Sequence, residues 1–167
     1  MGVKTQVKFD MTKRMKETAE NLDGVNVYAG VLTGEHQWLA GIHEYGCKIP
    51  VTKKMRNYLH SIGVHLKKDT TEIVIPERSF LRAGYDKNKE DILRKAENLL
   101  PDLLGGTLPY TKFLEAVGTE LRDCIKDFAI ELDTPQKKEW PTRDPDKYNQ
   151  LVETGDMING IEYEVER

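Results

Sequence analysis

Residues 109–132, PYTKFLEAVGTELRDCIKDFAIEL, form the most regular stretch of this sequence and decide its fold. Apolar residues recur here at intervals of three or four positions, which is the spacing of one face of an α-helix. They are Leu114, Val117, Leu121, Ile125, Phe128 and Leu132. Pro109 suits the opening turn of such a helix. Because so long an apolar stripe needs a surface to cover it, we predict that this helix lies at the centre of the fold.

Further helices are predicted on the N-terminal side of this stretch. A second apolar face precedes it, and the glycines at 105 and 106 end that helix. Its members are Ile92, Leu93, Ala96, Leu99, Leu100 and Leu103. Pro76 favours a separate short helix over residues 77–84. An amphipathic helix is predicted over residues 10–22, and a short one over residues 38–45 with Gly46 at its C-terminal end.

Four short stretches have the alternation or the β-branched composition of strands. They are residues 25–32, 48–50, 72–75 and 161–165. In the last of them the apolar residues alternate with Glu162, Glu164 and Glu166, and a row of charge on an edge strand discourages unwanted sheet pairing. Thr52 is well placed to cap a helix between the second strand and the third.

Short strands separated by helices in irregular order indicate an α+β fold. We predict a small, mainly antiparallel sheet of about four strands, covered by two or three long helices, with a helical insertion at residues 51–72. The length of 167 residues fits a single domain. Three prolines among charged and polar residues predict an exposed, mobile loop over residues 133–150.

Charge and composition narrow the possible classes of function. The chain has 25 Lys and Arg residues against 28 Asp and Glu residues, with the signs interspersed and a net charge of −3. Specific binding of nucleic acid is therefore not expected, although a nucleic-acid-binding or regulatory module that uses the basic residues 53–68 is the alternative interpretation. No apolar run is long enough to span a membrane. Cys47 and Cys124 are expected to stay separate thiols in a reducing cytosol.

No combination of residues indicates catalysis or a bound cofactor. His43 and Cys47 stand four positions apart, a spacing that metal sites use, but a structural zinc site needs about four ligands and the other histidines supply no second pair. A metal-dependent hydrolase built on this pair is a second alternative; we expect no metal. Motifs for a nucleophile or for phosphate binding are absent from the sequence.

Three segments stand out as motifs: WLAGIHEYG at 38–46, IPERSFLR at 75–82 and LVETGDMINGI at 151–161. In this order they resemble the small neck proteins of tailed bacteriophages, which are called tail-completion, head-tail joining or minor tail components. The residues that match the family pattern are Glu44, Tyr45, Gly46, Pro76, Arg78, Phe80, Leu81, Arg82, Leu151, Thr154 and Gly155. The chain departs from that pattern at residues 51–72 and in the stretch before Leu151.

The resemblance implies a structural virion protein that is not an enzyme, with no catalytic, cofactor-binding or metal-binding residues. It implies that the chain forms a ring with itself, of sixfold symmetry to match a tail tube. The ring would lie between the head connector or adaptor and the tail tube or tail terminator protein. It places the protein in the neck and tail region of the virion, and in the host cytoplasm before assembly.

The motif residues themselves suggest a scaffold. Phe80 and Leu81 are predicted to anchor a short helix on the sheet, with Arg78 and Arg82 on one side of it because they stand four positions apart. A guanidinium group there needs an acceptor. We expect one of the two arginines to pair with Glu44 or with carbonyl groups of the turn at Thr154, which would fasten three segments together. The alternative is that both arginines are exposed to solvent.

Overall fold

The computed structural model describes residues 11–32, 34, 36–135, 151 and 155–167. Its architecture confirms the predicted α+β class. The elements, in chain order, are α1 (Met11–Leu22), β1 (Asn26–Val31), α2 (His36–Tyr45), β2 (Cys47–Pro50), α3 (Lys53–Ser61), β3 (Glu72–Ile75), α4 (Phe80–Gly105), α5 (Tyr110–Glu131), α6 (Asp156–Asn159) and β4 (Ile161–Glu166).

Helix α5 lies at the centre, as its apolar stripe predicts. It packs along α4 and also contacts α1, α6, β1 and β4. The two long helices form a hairpin because Gly106 takes a left-handed conformation with φ of 77° and ends α4. The helices approach closely at Gly84, where an added Cβ would stand 3.3 Å from Phe128. Small and large residues therefore interlock along this pair.

The four strands are antiparallel, as predicted, but they form two sheets of two strands each. Strand β1 pairs with β4 from Asn26 opposite Glu166 to Val31 opposite Ile161, and this sheet packs its inner face on α5. Within the described residues, strand β2 pairs with β3 and with no other strand. Gly46, with φ of 70°, turns the chain between α2 and β2. Strands β2 and β3 then pair with each other, and α3 lies between them in the sequence.

Two groups of buried side chains lie towards opposite ends of the long hairpin. The larger group joins α2, α6 and the end of β1 to the start of α4 and the end of α5, with Phe80 and Ile161 completely buried. The smaller group is centred on Leu103, Phe113 and Leu114 and is covered by residues of α1 and β1. Helices α4 and α5 therefore contribute residues to two separate hydrophobic cores.

Helix α4 differs from the prediction at its start. The separate helix over 77–84 is not present; instead one continuous helix begins at Phe80, with Ser79 at its N-cap. Pro76 is therefore not a first helical residue, since it follows directly on β3. Residues 76–79 connect the end of β3 to Phe80, which lies in the core. Arg78 thus precedes the helix, so the helical spacing from which a common side with Arg82 was predicted is not present. Both arginines nevertheless contact neighbouring residues of α2, His43 and Glu44.

The segment from 47 to 75, named the arm here, contains β2, α3 and β3. Thr52 caps α3 as predicted, with its hydroxyl accepting the N–H of Met55 at 3.1 Å. Arg56 fastens the return path by donating to the carbonyls of Lys67 at 2.8 Å and Thr70 at 2.6 Å. No residue of α3 is buried. The predicted helical insertion between two short strands is therefore present and is stabilised mainly by its own contacts.

The predicted loop at 133–150 falls largely outside the described residues; positions 133–135, which are described, have no regular structure.

A buried glycine of α5 offers a test of the packing between α5 and β4. An added Cβ at Gly118 would run into the ring of Tyr163. We expect Gly118→Ala to lower the free energy of unfolding by about 1–3 kcal/mol through overpacking, even though alanine is the better helix former by about 1 kcal/mol. Urea denaturation measures this change. In a Tyr163→Ala background the same substitution should become stabilising; an equal loss in both backgrounds would contradict the packing argument.

Candidate functional site

Glu44, near the C-terminal end of α2, caps the start of α4 from outside that helix. The residue is only 2% exposed, and its carboxylate accepts the backbone N–H groups of Leu81 at 2.9 Å and Arg82 at 3.1 Å. N–H groups in the first turn have no partner within a helix, and Ser79 makes no side-chain bond to them. A negative charge is also favoured at this end of the helix dipole. We call this arrangement the Glu44 cap.

Arg82 completes the Glu44 cap from the solvent side. Its Nε donates to Oε1 of Glu44 at 2.8 Å, and its Nη2 donates to the backbone carbonyl of Glu44 at 3.1 Å and to the carboxylate of Glu77 at 2.7 Å. The guanidinium carbon lies 4.8 Å from the centre of the Tyr45 ring, a cation–π distance. Hydrogen bonds to Glu44 and Glu77 raise the pKa of Arg82. The buried carboxylate therefore has a fixed counter-charge.

Arg78 connects the same end of α2 to the segment after α5. Its backbone N–H donates to the carbonyl of His43 at 2.7 Å. Its Nη1 lies 3.5 Å from Nδ1 of His43, and its Nε donates to the carbonyl of Pro135 at 3.2 Å. The residue is 5% exposed. A cation buried this deeply is tolerated only with such partners, so Arg78 holds two distant parts of the chain at a fixed separation.

Gly46 allows the arm to leave the body at this point. Its φ of 70° is strained for any residue with a side chain, and an added Cβ would stand 2.8 Å from the backbone nitrogen of Glu77 and 2.9 Å from the carbonyl oxygen of Ile75. Pro76 lies between those two neighbours and is partly buried. The base of the arm therefore lies close to the Glu44 cap, and position 46 has no room for a residue larger than glycine.

The third motif meets the first through the larger core. Helix α6 packs on α2, and Leu151, Met157 and Ile158 are buried in the same group as Phe80. Gly155 stands at the N-cap of α6 with φ of 88°. Thr154 lies outside the described residues, so its predicted turn is not tested. The structure nevertheless brings residues of all three motifs to one end of the molecule.

The predicted pairing of an arginine with Glu44 is confirmed for Arg82. Full exposure of both arginines is excluded, because Arg78 is buried and Arg82 is bonded to two carboxylates. Two contacts of this site were not predicted from the sequence. The carbonyl of His43 accepts from Arg78, and Glu44 bonds to the backbone of α4. The lack of an acidic residue in the first turn of α4 gave no sign of this, because the start of that helix at Phe80 was not predicted.

The contacts of this site fasten α2 to the start of α4. The carboxylate of Glu44 is occupied by backbone and guanidinium donors. Elsewhere, a mainly apolar groove of about 330 Å³ lies between Asn21, Tyr110 and Val165. The end of the molecule where the three motifs meet presents aromatic surface, since Trp38 and Tyr45 of α2 are 72% and 68% exposed.

Cys124 gives a pH-dependent prediction. Burial raises the pKa of its thiol, and the carboxylates of Glu120 and Asp127 add to the effect. Because the thiolate is the reactive form, alkylation of Cys124 by iodoacetamide should begin at higher pH in the native protein than in the same protein unfolded in urea. Mass spectrometry across a pH series measures both curves. A native curve at or below the unfolded one would contradict the burial of this thiol.

Within the part of the chain that the structure describes, no group of three or more His, Cys, Asp or Glu side chains could hold a metal ion. His43 is instead engaged with Arg78, and Cys47 is a free thiol in β2. Among the same residues no helix combines the length and the apolar character needed to cross a bilayer. The comparisons add no relative: no family model, no curated protein and no solved structure matches the chain.

Proposed function

We propose that this chain is a structural subunit of a tailed bacteriophage or phage-like particle. It acts in the neck as a tail-completion or head-tail joining protein and is not an enzyme. Its contribution is a rigid body and adhesive surface, by which copies assemble into a ring between the head connector or adaptor and the tail tube or terminator. It resides in the virion neck and tail region, after a period in the host cytoplasm.

The observation that carries this proposal is the meeting of the three motifs that resemble the neck family. Glu44 of the first motif is bonded to the backbone of Leu81 and Arg82 in the second, and buried residues of the third lie in the same core as Phe80. Motifs that are far apart in sequence thus cooperate in fixing one end of the molecule. Polar groups so fully engaged favour a scaffold over a reaction centre.

Exposed side chains near these motifs are of the kind that subunit contacts use. Trp38 and Tyr45 are largely exposed on α2, and Arg82 stacks on Tyr45. Tryptophan, tyrosine and arginine are the residues that most often dominate the energy of protein interfaces. Burying them against another subunit would supply binding energy through the hydrophobic effect.

The position of the chain in a particle tests the proposal. Particles made by the gene cluster that encodes this chain would be purified, and the chain located and counted in an image reconstruction. We expect several copies arranged as a ring, sixfold in symmetry, between head and tail. Complete absence from purified particles, or turnover of a substrate by the isolated protein, would overturn the proposal.

The second candidate, a nucleic-acid-binding module, is favoured by one observation. Lys53, Lys54, Lys67 and Lys68 of the arm are exposed, and none has an ion-pair partner among the described residues. Titration of labelled duplex DNA at rising salt distinguishes the two candidates. Tight binding with a steep salt dependence would favour the module, because counterions are released when phosphates are neutralised; weak or absent binding would remove it.

A further inference from the structure

The arm differs in charge from the rest of the molecule. Of the 25 Lys and Arg and 28 Asp and Glu residues in the chain, residues 47–75 hold six basic and two acidic ones. The arm therefore has a net charge of +4 and the remainder one of −7. The arm and the remainder of the chain thus carry net charges of opposite sign.

Four lysines of the arm, at positions 53, 54, 67 and 68, form no ion pair within the part of the chain that the structure describes. Lys53 and Lys54 occupy the first turn of α3, which has no acidic residue, although a helix N-terminus favours negative charge. Lys67 and Lys68 are exposed on the return path. The same tip exposes Tyr58 by 63%. Basic charge and apolar surface are thus both directed to solvent at the end of the arm.

A surface of opposite character lies on the sheet formed by β1 and β4. Glu162, Glu164 and Glu166 point to its outer face, opposite Gly30, Tyr28 and Asn26 respectively. All three carboxylates are exposed, and none forms an ion pair within the described residues. Tyr28 is 47% exposed among them. We call Tyr28 with the three glutamates the acidic face.

We propose that the arm of one copy docks on the acidic face of a second copy of this chain. Lysines of α3 and of the return path meet the three carboxylates, while Tyr58 and Tyr28 bury apolar surface between them. The two surfaces are different, so the contact is head-to-tail, and repeated contacts of this kind close into a ring when the rotation permits. This inference rests on the proposed self-assembly and names the surfaces that produce it.

Complementary charge reversal tests the contact. One variant has a reversed arm, Lys53→Glu with Lys54→Glu and Lys67→Glu. The other has a reversed face, Glu162→Lys with Glu164→Lys. The arm variant should remain folded, because two of its three changes place carboxylates in the first turn of α3. Lys89→Glu with Glu97→Lys on α4 reverses two exposed charges away from both surfaces and serves as the control; neither residue forms an ion pair in the described part of the chain.

Each variant alone should self-associate on the order of a hundredfold more weakly than the unaltered protein, because like charges then oppose one another. An equal mixture should assemble again, since each arm then meets a face of opposite sign. Mass photometry or analytical ultracentrifugation over a range of concentration and salt measures all four proteins. The control should assemble as the unaltered protein does, and added salt should weaken that assembly.

Several results would overturn the inference: an unaltered protein that stays monomeric throughout, variants that assemble normally, or a mixture that stays dissociated while circular dichroism shows both variants folded. If a variant unfolds, zero-length carbodiimide cross-linking of the unaltered protein decides instead. Cross-links from arm lysines to the acidic face between copies are expected, and their absence contradicts the contact. An arm that binds duplex DNA but no second copy would also overturn it.

Failure of this contact and failure of the proposed function are distinguishable. If a ring is found in the particle neck and both variants assemble normally, the proposed arm contact is refuted and the proposed structural role still stands. Absence from particles would remove the structural role, whatever the mixing experiment shows.

Discussion

Replacing Glu44 with alanine should lower the free energy of unfolding by about 3 kcal/mol. The change removes the acceptor for the N–H groups of Leu81 and Arg82 in a nearly closed environment. Those N–H groups are left without a partner, and the guanidinium of Arg82 loses its closest carboxylate. A loss of this size is a large part of the stability of an ordinary domain, about 5–15 kcal/mol. Urea or thermal denaturation followed by circular dichroism measures it.

Two further variants identify the cause of that loss. Glu44→Gln keeps a side chain of the same length with one carbonyl oxygen as acceptor. It should lower the free energy of unfolding clearly less than Glu44→Ala does. Glu77→Ala removes the other carboxylate bonded to Arg82, but that side chain is 56% exposed, so the cost should stay below about 1 kcal/mol. If the alanine at 44 costs no more than the alanine at 77, the Glu44 cap does not stabilise α4.

Gly46→Ala should be almost as damaging, with an expected loss of about 2–4 kcal/mol. Two effects add. The φ of 70° is unfavourable for alanine, and the new methyl group meets the backbone at Ile75 and Glu77 at distances of 2.8–2.9 Å. Because these contacts are made with backbone atoms, they cannot be relieved by a change of rotamer, and the base of the arm must shift. Denaturation and limited proteolysis at the arm measure the stability and the displacement.

The chain supplies matched controls for each part of this effect. Gly24 has a φ of 71° but open space around its Cβ position, so Gly24→Ala reports the conformational cost alone. Gly41 lies within α2 with no neighbour within 4 Å, and Gly41→Ala should stabilise by up to about 1 kcal/mol. Equal losses at positions 24 and 46 would contradict the close contact with the arm.

Periodicity predicted the fold class well because the determining interactions are local. The stripe of α5, the end of α4 at Gly106 and the cap of α3 at Thr52 each depend on residues within a few positions of one another. Strand β3 has the predicted limits because Pro76 directly follows it. These features are specified by the local sequence and do not depend on tertiary contacts.

Other features depend on contacts between distant residues and could not be predicted in this way. Helix α4 begins at Phe80 because a carboxylate 36 positions earlier accepts its first free N–H groups, and no local pattern contains that information. The division of four strands into two sheets has the same origin, since alternation predicts a strand but not its neighbour. At the candidate site, the motifs named candidate residues, whereas the partners of Glu44, Arg78 and Arg82 follow from tertiary packing.

The arm is joined to the body through two adjoining positions, Gly46 and Pro76, and folds largely on its own contacts. Its tip can therefore be lengthened, shortened or exchanged for another while the two cores stay intact, as surface loops generally permit. The same property makes residues 53–68 a natural place to graft a foreign recognition sequence onto this scaffold.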